Sequence, residues 1–430
     1  MLTANPDFLL RDRGVSNASE VGQIPRHRWY IVKEAFSPRL VEAAIEADGV
    51  ERGESLLDPF AGSGTVPVTA ALAGLRADAF EVNPFLRFVA STKLRGARAE
   101  DLVQAKEIVL RATKKPQRSR LEGYSTFTCG NRWHRWLFPT AVIRGFEAGM
   151  QAIEEVDMTV RPLVKLALIG AAMDCCNASR DGKCLRFRKG WRDHEATVGS
   201  LRDQLGFRLA MMAEDIAEVP IRRSGGAKVV EGDARKLISR LPARFRICVT
   251  SPPYLNSFDY SDVYRPEMFL GGFVDSNQEL MRIRLKTLRS HVQATWEPPT
   301  RDDFGTLYDA CISELSERAP DLWDWRLPRM VQAYFEDMER VLSALRERAA
   351  ERANIWLVVS TSAYAGVEVP VDLILAEIGQ RCGWYLREVG VLRYLRSSSQ
   401  HVRHVGEEGR RAVPLRESAV ILDATRSRSS

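Results

Sequence analysis

The chain has 430 residues, 45% of them apolar and 27% charged, with a net charge of +6 at neutral pH. That is more than one small domain needs and fits one large elaborated domain or two. The mild basic excess permits a polyanionic partner without demanding one, and no apolar run is long enough to span a membrane. Met1 to Arg13 lacks the order of a signal peptide, so a cytoplasmic protein is expected. Seven irregularly spaced cysteines argue against a disulfide framework. Cys175, Cys176, Cys184 and His194 match no usual zinc spacing, so no metal is expected.

Residues 1–26 read as a polar arm, loose at least as far as Gln23. A helix starting near Pro38 carries Leu40, Val41, Ala44 and Ile45 on one face. Ser55-Leu56-Leu57 is a short buried strand ending in Asp58. A glycine loop follows, then a helix from about Val66 to Ala73 closed by Gly74. Ala77 to Phe80 is a second strand ending at Glu81, which completes a doubly wound β-loop-α-β unit. Residues 100–225 read mostly as helices, too long for a simple connection and a candidate target-recognition insertion. Strand character resumes at Ala227–Val230 and at Phe245–Val249. Residues 266–350 form a second helical insertion. Ile355–Ser360, Trp384–Leu392 and Ala419–Leu422 are the last strands, with a helix at Pro370–Cys382 and a polar tail over 425–430. The fold class is α/β, with core segments 27–99, 226–265 and 351–424 interrupted by two helical insertions.

Asp58-Pro59-Phe60-Ala61-Gly62-Ser63-Gly64-Thr65 lies where a strand turns into a helix. Its glycines allow backbone geometries that Cβ would block, and the helix start favours a negative group. Glu81 stands at the next strand end, where an acid grips ribose hydroxyls in dinucleotide folds. The loop lacks the Gly-x-Gly-x-x-Gly spacing and the P-loop lysine. A nucleoside without a pyrophosphate fits better, and S-adenosylmethionine is such a ligand. Its carboxylate suits the loop amides, its ribose Glu81 and its adenine amino group Asp233.

Thr250-Ser251-Pro252-Pro253-Tyr254 follows the apolar run Ile247-Cys248-Val249. An exocyclic base amine is a poor nucleophile because its lone pair conjugates with the ring. Ser251 Oγ and the Pro252 carbonyl could accept both N–H groups and direct that lone pair at a methyl donor. The two prolines stiffen the loop, and Tyr254 could stack on the base. Most of the catalysis would then be orientation, and a duplex base would have to flip out to reach the site.

With both strings in view, the chain resembles the amino-group DNA methyltransferases. Asp58 to Thr65 is similar to their cofactor loop and Thr250 to Tyr254 to their catalytic loop. A serine in first place is similar to the cytosine-N4 group, whereas the adenine-N6 group usually has Asp or Asn. Phe36-Ser37-Pro38-Arg39-Leu40 resembles the segment that closes over the methionine end of the cofactor. Glu81-Val82-Asn83-Pro84 and Gly232-Asp233-Ala234 resemble the ribose and adenine contacts. The resemblance implies a Rossmann-like methyltransferase sheet, S-adenosylmethionine as cofactor and double-stranded DNA as partner. It also raises the prospect of a companion restriction or defence protein. The long block between the second and third sheet strands departs from many members, which leaves the seat of target recognition open.

Three basic clusters are candidate DNA contacts. The first holds Arg180, Lys183, Arg186, Arg188, Lys189 and Arg192, with Phe187 and Trp191 between them. Charge for phosphates with aromatics for unstacked bases suits nucleic acid. The second is Arg282, Arg284, Lys286, Arg289 and His291. The third is Arg393, Arg396, Arg403, His404, Arg410 and Arg411. Each reads equally as a solvated surface or an ion-pair network. Trp133 and Trp136, three apart, read as core residues, and His27 as structural.

Overall fold

The computed structural model describes residues 2–8, 18–180, 185–193, 195–221, 226–395 and 415–426. The order begins α1 (Pro38–Ala47), β1 (Ser55–Asp58), α2 (Thr65–Leu72), β2 (Arg76–Glu81) and α3 (Pro84–Lys93). The first insertion contributes α4 (Ala99–Ala112), α5 (Thr140–Ala152) and α6 (Arg161–Asp174). A hairpin of β3 (Ala178–Arg180) and β4 (Leu185–Phe187) and then α7 (Val198–Glu218) complete it. β5 (Ala227–Glu231), α8 (Ala234–Leu237) and β6 (Phe245–Thr250) return to the sheet. Next come α9 (Tyr260–Val263), α10 (Arg265–Leu270), α11 (Asn277–Arg284), α12 (Thr306–Glu317) and α13 (Leu327–Arg348). The chain closes with β7 (Ala349–Ser360), the hairpin β8 (Ser362–Tyr364) and β9 (Val367–Val369), α14 (Val371–Arg381), β10 (Tyr385–Leu395) and β11 (Leu415–Asp423).

Seven strands form one sheet in the order β10-β11-β7-β6-β1-β2-β5. β5, β2, β1, β6 and β7 are parallel, and β11 runs antiparallel between β7 and β10. Side chains alternate across it with period two. Leu56, Ile247, Val249, Trp356 and Val358 face α1 and α2 on one side. Leu57, Cys248, Ile355, Leu357 and Val359 face α13 and α14 on the other. With both faces covered, the parallel strands are the near-continuous apolar runs seen in the sequence. The α/β expectation therefore holds. No helix among the described residues is long and apolar enough to cross a membrane.

The first insertion is not a separate body. Its helices share one core with Trp29, Phe85, Leu86 and Val89 of the sheet domain and with Tyr264, Met268 and Phe269. α3, which the sequence pattern had not separated out, is the platform. Asn83 Oδ1 accepts from the Phe85 and Leu86 N–H groups at its N-terminus, and Pro84 opens the helix. Asn-Pro before an apolar run was a legible start signal.

β7 starts six residues earlier than the apolar run suggests. Ala349 to Asn354 has helix-favouring composition, but Arg244 donates to the Ala349 carbonyl (2.7 Å) and Arg246 to the Arg352 carbonyl (2.6 Å). Neighbouring β6 thus draws the segment into the sheet, and tertiary contact overrides propensity. The N-terminal arm is also less loose than expected. The Asn5 N–H donates to the Val389 carbonyl (2.7 Å) and the Asn5 carbonyl accepts from the Val391 N–H (2.8 Å), docking the arm on β10.

Candidate active site

From β1 the chain steps to β2 and β5 on one side, then returns to β6 on the other. Ligands bind beyond the carboxyl ends of strands at such a reversal. A cleft of about 1100 Å³, counting the part open to solvent, lies there. Phe36, Asp58 to Ser63, Thr65, Glu81, Val82 and Asn83 line it, as do Gly232 to Ala234 and Ser251 to Pro253. The fold therefore brings both sequence strings to one place. Ser37, Pro38, Gly64, Thr250 and Tyr254 do not line the cleft.

Those five residues support the wall. Ser37 Oγ accepts from the Arg39 N–H and caps α1, in which Pro38 is buried. Thr250 is fully buried, and its hydroxyl donates to Asp58 Oδ1 at 2.7 Å, joining the ends of β1 and β6. Gly64 has φ +88°, and a Cβ there would sit 2.7 Å from the Ala90 Cβ of α3. Its glycine is set by helix packing and a left-handed backbone. Tyr254 gives its hydroxyl to Glu417 Oε1 (2.7 Å) on β11.

The β1 loop is held by its own acids. Asp58 Oδ1 accepts from the Phe60 N–H (3.1 Å), and Glu81 accepts from Gly62 N–H (2.8 Å) and Asn83 N–H (2.7 Å). The Gly62 amide is thus committed to Glu81. Burial pushes both carboxyls up to about 7, against the lowering effect of these hydrogen bonds. Asn83 Nδ2 is buried beside the cleft without a partner among the described residues. Such a group costs free energy until a ligand satisfies it.

Asp233 stands at the β5 end of the cleft and caps α8, accepting from the Arg235 N–H. The Arg235 guanidinium grips both of its oxygens at 2.9 Å. Arg235 also reaches the fully buried Asp337 (2.8 Å), which Arg289 grips from the other side (2.7 Å). The sequence contains no local sign of this network, because α8 and α13 are about a hundred positions apart.

The second basic cluster is largely spent inside the protein. Arg289 is 6% exposed and paired with Glu336 and Asp337, and Arg284 pairs with Asp259 at 2.6 Å. Lys286, Thr287, Leu288, Ser290 and His291 line the cleft instead, a contribution that sequence reasoning missed. In the first cluster, Arg180 is also spent. It pairs with the buried Glu267 and lies 4.5 Å over the Tyr264 ring, so it is no surface contact. Lys183 lies outside the described residues, as do Arg396, Arg403, His404, Arg410 and Arg411 of the third cluster. Arg393 pairs with Glu417.

The rest of the first cluster faces outward. Arg186, Arg188, Lys189 and Arg192 are exposed. Arg192 lies 4.6 Å over Trp191, and Trp136 meets Trp191 edge-on at 4.7 Å. Trp133 is 50% exposed with Arg132 stacked at 4.4 Å. The two tryptophans read as core thus form a basic aromatic surface with the hairpin. The Lys33 ammonium donates to the Arg180 carbonyl (2.7 Å), which ties that hairpin to the cleft rim at Glu34. His27 is buried, and burial pushes its pKa down to about 3, as a structural histidine requires.

The UPF0020 family, an RMKL-like methyltransferase domain, matches residues 25–134, which hold the β1 loop and Glu81. The Type II methyltransferase M.AvaI of Nostoc sp. (strain PCC 7120) is 24% identical over 90% of this chain and 85% of its own length. M.BsoBI of Geobacillus stearothermophilus is also 24% identical, over 92% of this chain and 85% of its own. The chain is thus similar to a methyltransferase domain over residues 25–134 and to Type II methyltransferases over nine-tenths of its length. Among solved structures, the rRNA methyltransferase aviRa of Streptomyces viridochromogenes is 12% identical over 91% of this chain and 86% of that one, with a TM-score of 0.27. The fold of this methyltransferase rests on its own sheet order, not on that likeness.

Proposed function

We propose that this methyltransferase moves a methyl group from S-adenosylmethionine to the exocyclic N4 amine of cytosine in DNA, in a base flipped out of the duplex. The observation that carries the reading is that Ser251-Pro252-Pro253 shares one cleft with the β1 loop and Glu81, at the reversal of strand order. DNA as substrate is supported by the relatives named as Type II methyltransferases, which align over nine-tenths of the chain. The outward basic aromatic surface suits phosphates and unstacked bases, and Arg186, Arg188, Lys189 and Arg192 are its proposed contacts. Cytosine over adenine rests on the serine that opens the catalytic string.

The residues present fit the cofactor. Glu81 keeps lone pairs for ribose hydroxyls, Asn83 Nδ2 awaits an acceptor, and Asp233 is fixed to receive the adenine amino group. Phe36 and the Asp58–Thr65 loop would enclose the methionine end, with Ala234 beside the adenine. When bound, S-adenosylmethionine supplies an electrophilic methyl group on a sulfonium. Ser251 Oγ and the Pro252 carbonyl accept the two N–H groups of the target amine and turn its lone pair toward the cofactor side. Pro252 and Pro253 hold those acceptors still, so little ordering is left for the reaction itself. Tyr254, for which stacking on the base was expected, lies off the cleft lining and is proposed instead to brace the loop through its bond to Glu417. No strong base is needed, because the amine loses its proton after attack.

Incubation with labelled S-adenosylmethionine and mixed-sequence duplex DNA, followed by nucleoside analysis, tests the reading. N4-methylcytosine is the expected product. N6-methyladenine alone would transfer the role to adenine, and label in RNA but not DNA would overturn the DNA substrate.

A further inference from the structure

The second insertion brings into the cleft a histidine that neither motif accounts for. His291 is 2% exposed and lines the cleft with Ser251, Pro252 and Pro253. Neither of its ring nitrogens has a hydrogen-bond partner among the described residues. Gln293 is nearby, without hydrogen-bond geometry to either nitrogen, and its Nε2 donates to the Ser257 carbonyl at 3.3 Å. A buried polar ring left unpaired is costly, and native interiors seldom keep one without a role.

The ring is also held firmly against the catalytic loop. The Ser257 N–H donates to the Ser290 carbonyl at 3.1 Å, which pins the neighbouring residue to the segment after Tyr254. Trp296 packs edge-on against the imidazole at 5.1 Å, and its Nε1 donates to the His291 carbonyl at 2.9 Å. Asp259 and Arg284, the charged groups nearest the ring, pair with each other at 2.6 Å. Burial lowers the His291 pKa, so at neutral pH the ring is uncharged and carries one N–H donor.

Beside the two acceptors Ser251 Oγ and the Pro252 carbonyl, the cleft therefore offers His291 as a donor. Cytosine presents the complement, an amine beside the ring acceptor N3, and adenine does so with N1. Thymine presents a carbonyl and an N–H in those places and would meet acceptors with an acceptor and a donor with a donor. We infer that His291 donates a hydrogen bond to the ring nitrogen beside the reacting amine, and so selects bases that carry an amine next to a ring acceptor. This rests on the methylation of a flipped base proposed above.

The test uses the full chain and a short duplex carrying a methylation site already mapped on natural DNA. The target cytosine is replaced by 3-deazacytosine, which keeps the amine and lacks the ring acceptor (1-deazaadenine serves if the mapped base is adenine). For the wild type, kcat/KM should fall about thirtyfold, the scale for a polar group left unpaired in a site built to bind it. His291→Ala should show a similar loss on the natural duplex and no further loss on the deaza duplex. His291→Asn, which keeps a donor, should recover part of the activity. S-adenosylmethionine affinity by calorimetry should stay within about twofold in both variants, as expected of a residue that touches only the base. Equal activity of His291→Ala and wild type would overturn the inference, as would an undiminished deaza penalty in the variant. Loss of cofactor binding in both variants would show the ring to be structural and overturn it as well. In each of these cases the wild type still methylates DNA and the proposed function stands. A wild type that transfers no methyl group to DNA overturns both.

Discussion

On the β1 side of the cleft, Asp58 to Asn83 hold one another through bonds that span 2 to 19 positions. On the β6 side, Ser251 to Pro253 faces Lys286 to His291, and the supports of that segment reach Asp337 on α13. The first wall is preorganised by its own strand-loop-helix unit. The second exists only after an insertion has folded back over the sheet. Under the proposed methyl transfer the first wall would bind the donor and the second present the acceptor, and Asp337, through Arg235 and Asp233, touches both.

The sharpest break is Asp337→Ala. It leaves Arg235 and Arg289 facing a buried void, which should cost about 3–5 kcal/mol of stability, as for other half-removed buried ion pairs. Thermal or urea unfolding would measure it. S-adenosylmethionine affinity should also fall, because Arg235 no longer fixes Asp233. A melting temperature equal to wild type would show that the second wall does not depend on α13.

Ser251→Ala should lower kcat by about a hundredfold, the scale seen when one orienting hydrogen-bond group is lost from an active site. Single-turnover methyl transfer measures this, and cofactor affinity should stay near wild type. Equal loss of turnover and cofactor binding would erase the division between the walls.

Glu81→Gln probes the donor wall, with an expected loss of about tenfold in S-adenosylmethionine affinity, the scale of a charge-assisted hydrogen bond. Its pH dependence is the sharper readout. The folded pKa is raised to about 7 from 4.5, so a proton must leave before the carboxylate can accept both ribose hydroxyls. Wild-type affinity should therefore rise as pH increases from 6 to 8, and Glu81→Gln should flatten that slope. The sign for stability is opposite. Folded Glu81 and Asp58 keep protons that the unfolded chain releases, so their contribution falls as pH rises from about 4 toward 7. Calorimetric titrations and melts across pH check both.

The smallest effect belongs to the outer surface. Arg188→Ala should raise the KM for DNA a few-fold and reduce the slope of log affinity against log salt by about one. Cofactor affinity should not change. An unaltered salt slope would remove the hairpin from the DNA interface.

The Gly62–Ser63–Gly64 turn, Glu81 at a strand end and the Pro252–Pro253 pair could be read in one dimension, because each is a local strand-turn pattern. The strands of the parallel sheet were legible as apolar runs for the same reason. The first six residues of β7 were not, since pairing with β6 and β11, together with bonds from Arg244 and Arg246, makes a strand of them. Nor were the roles of Arg180 and Trp133. A charged or aromatic residue in a sequence does not say whether a partner 87 positions away will neutralise it, as Glu267 does for Arg180.

The sequence by itself determined the α/β class, the glycine loop at Asp58 and the proline string at Ser251, because short-range backbone geometry is written in the residues that adopt it. The tertiary structure alone decided what the basic clusters do. Arg284 and Arg289 are locked into buried ion pairs, while Arg188 and Arg192 remain exposed on a tryptophan-bearing surface. Runs of the same charge ended in different places because desolvation drives a buried cation to find an anion. Which anions are within reach is fixed only by how the insertions pack.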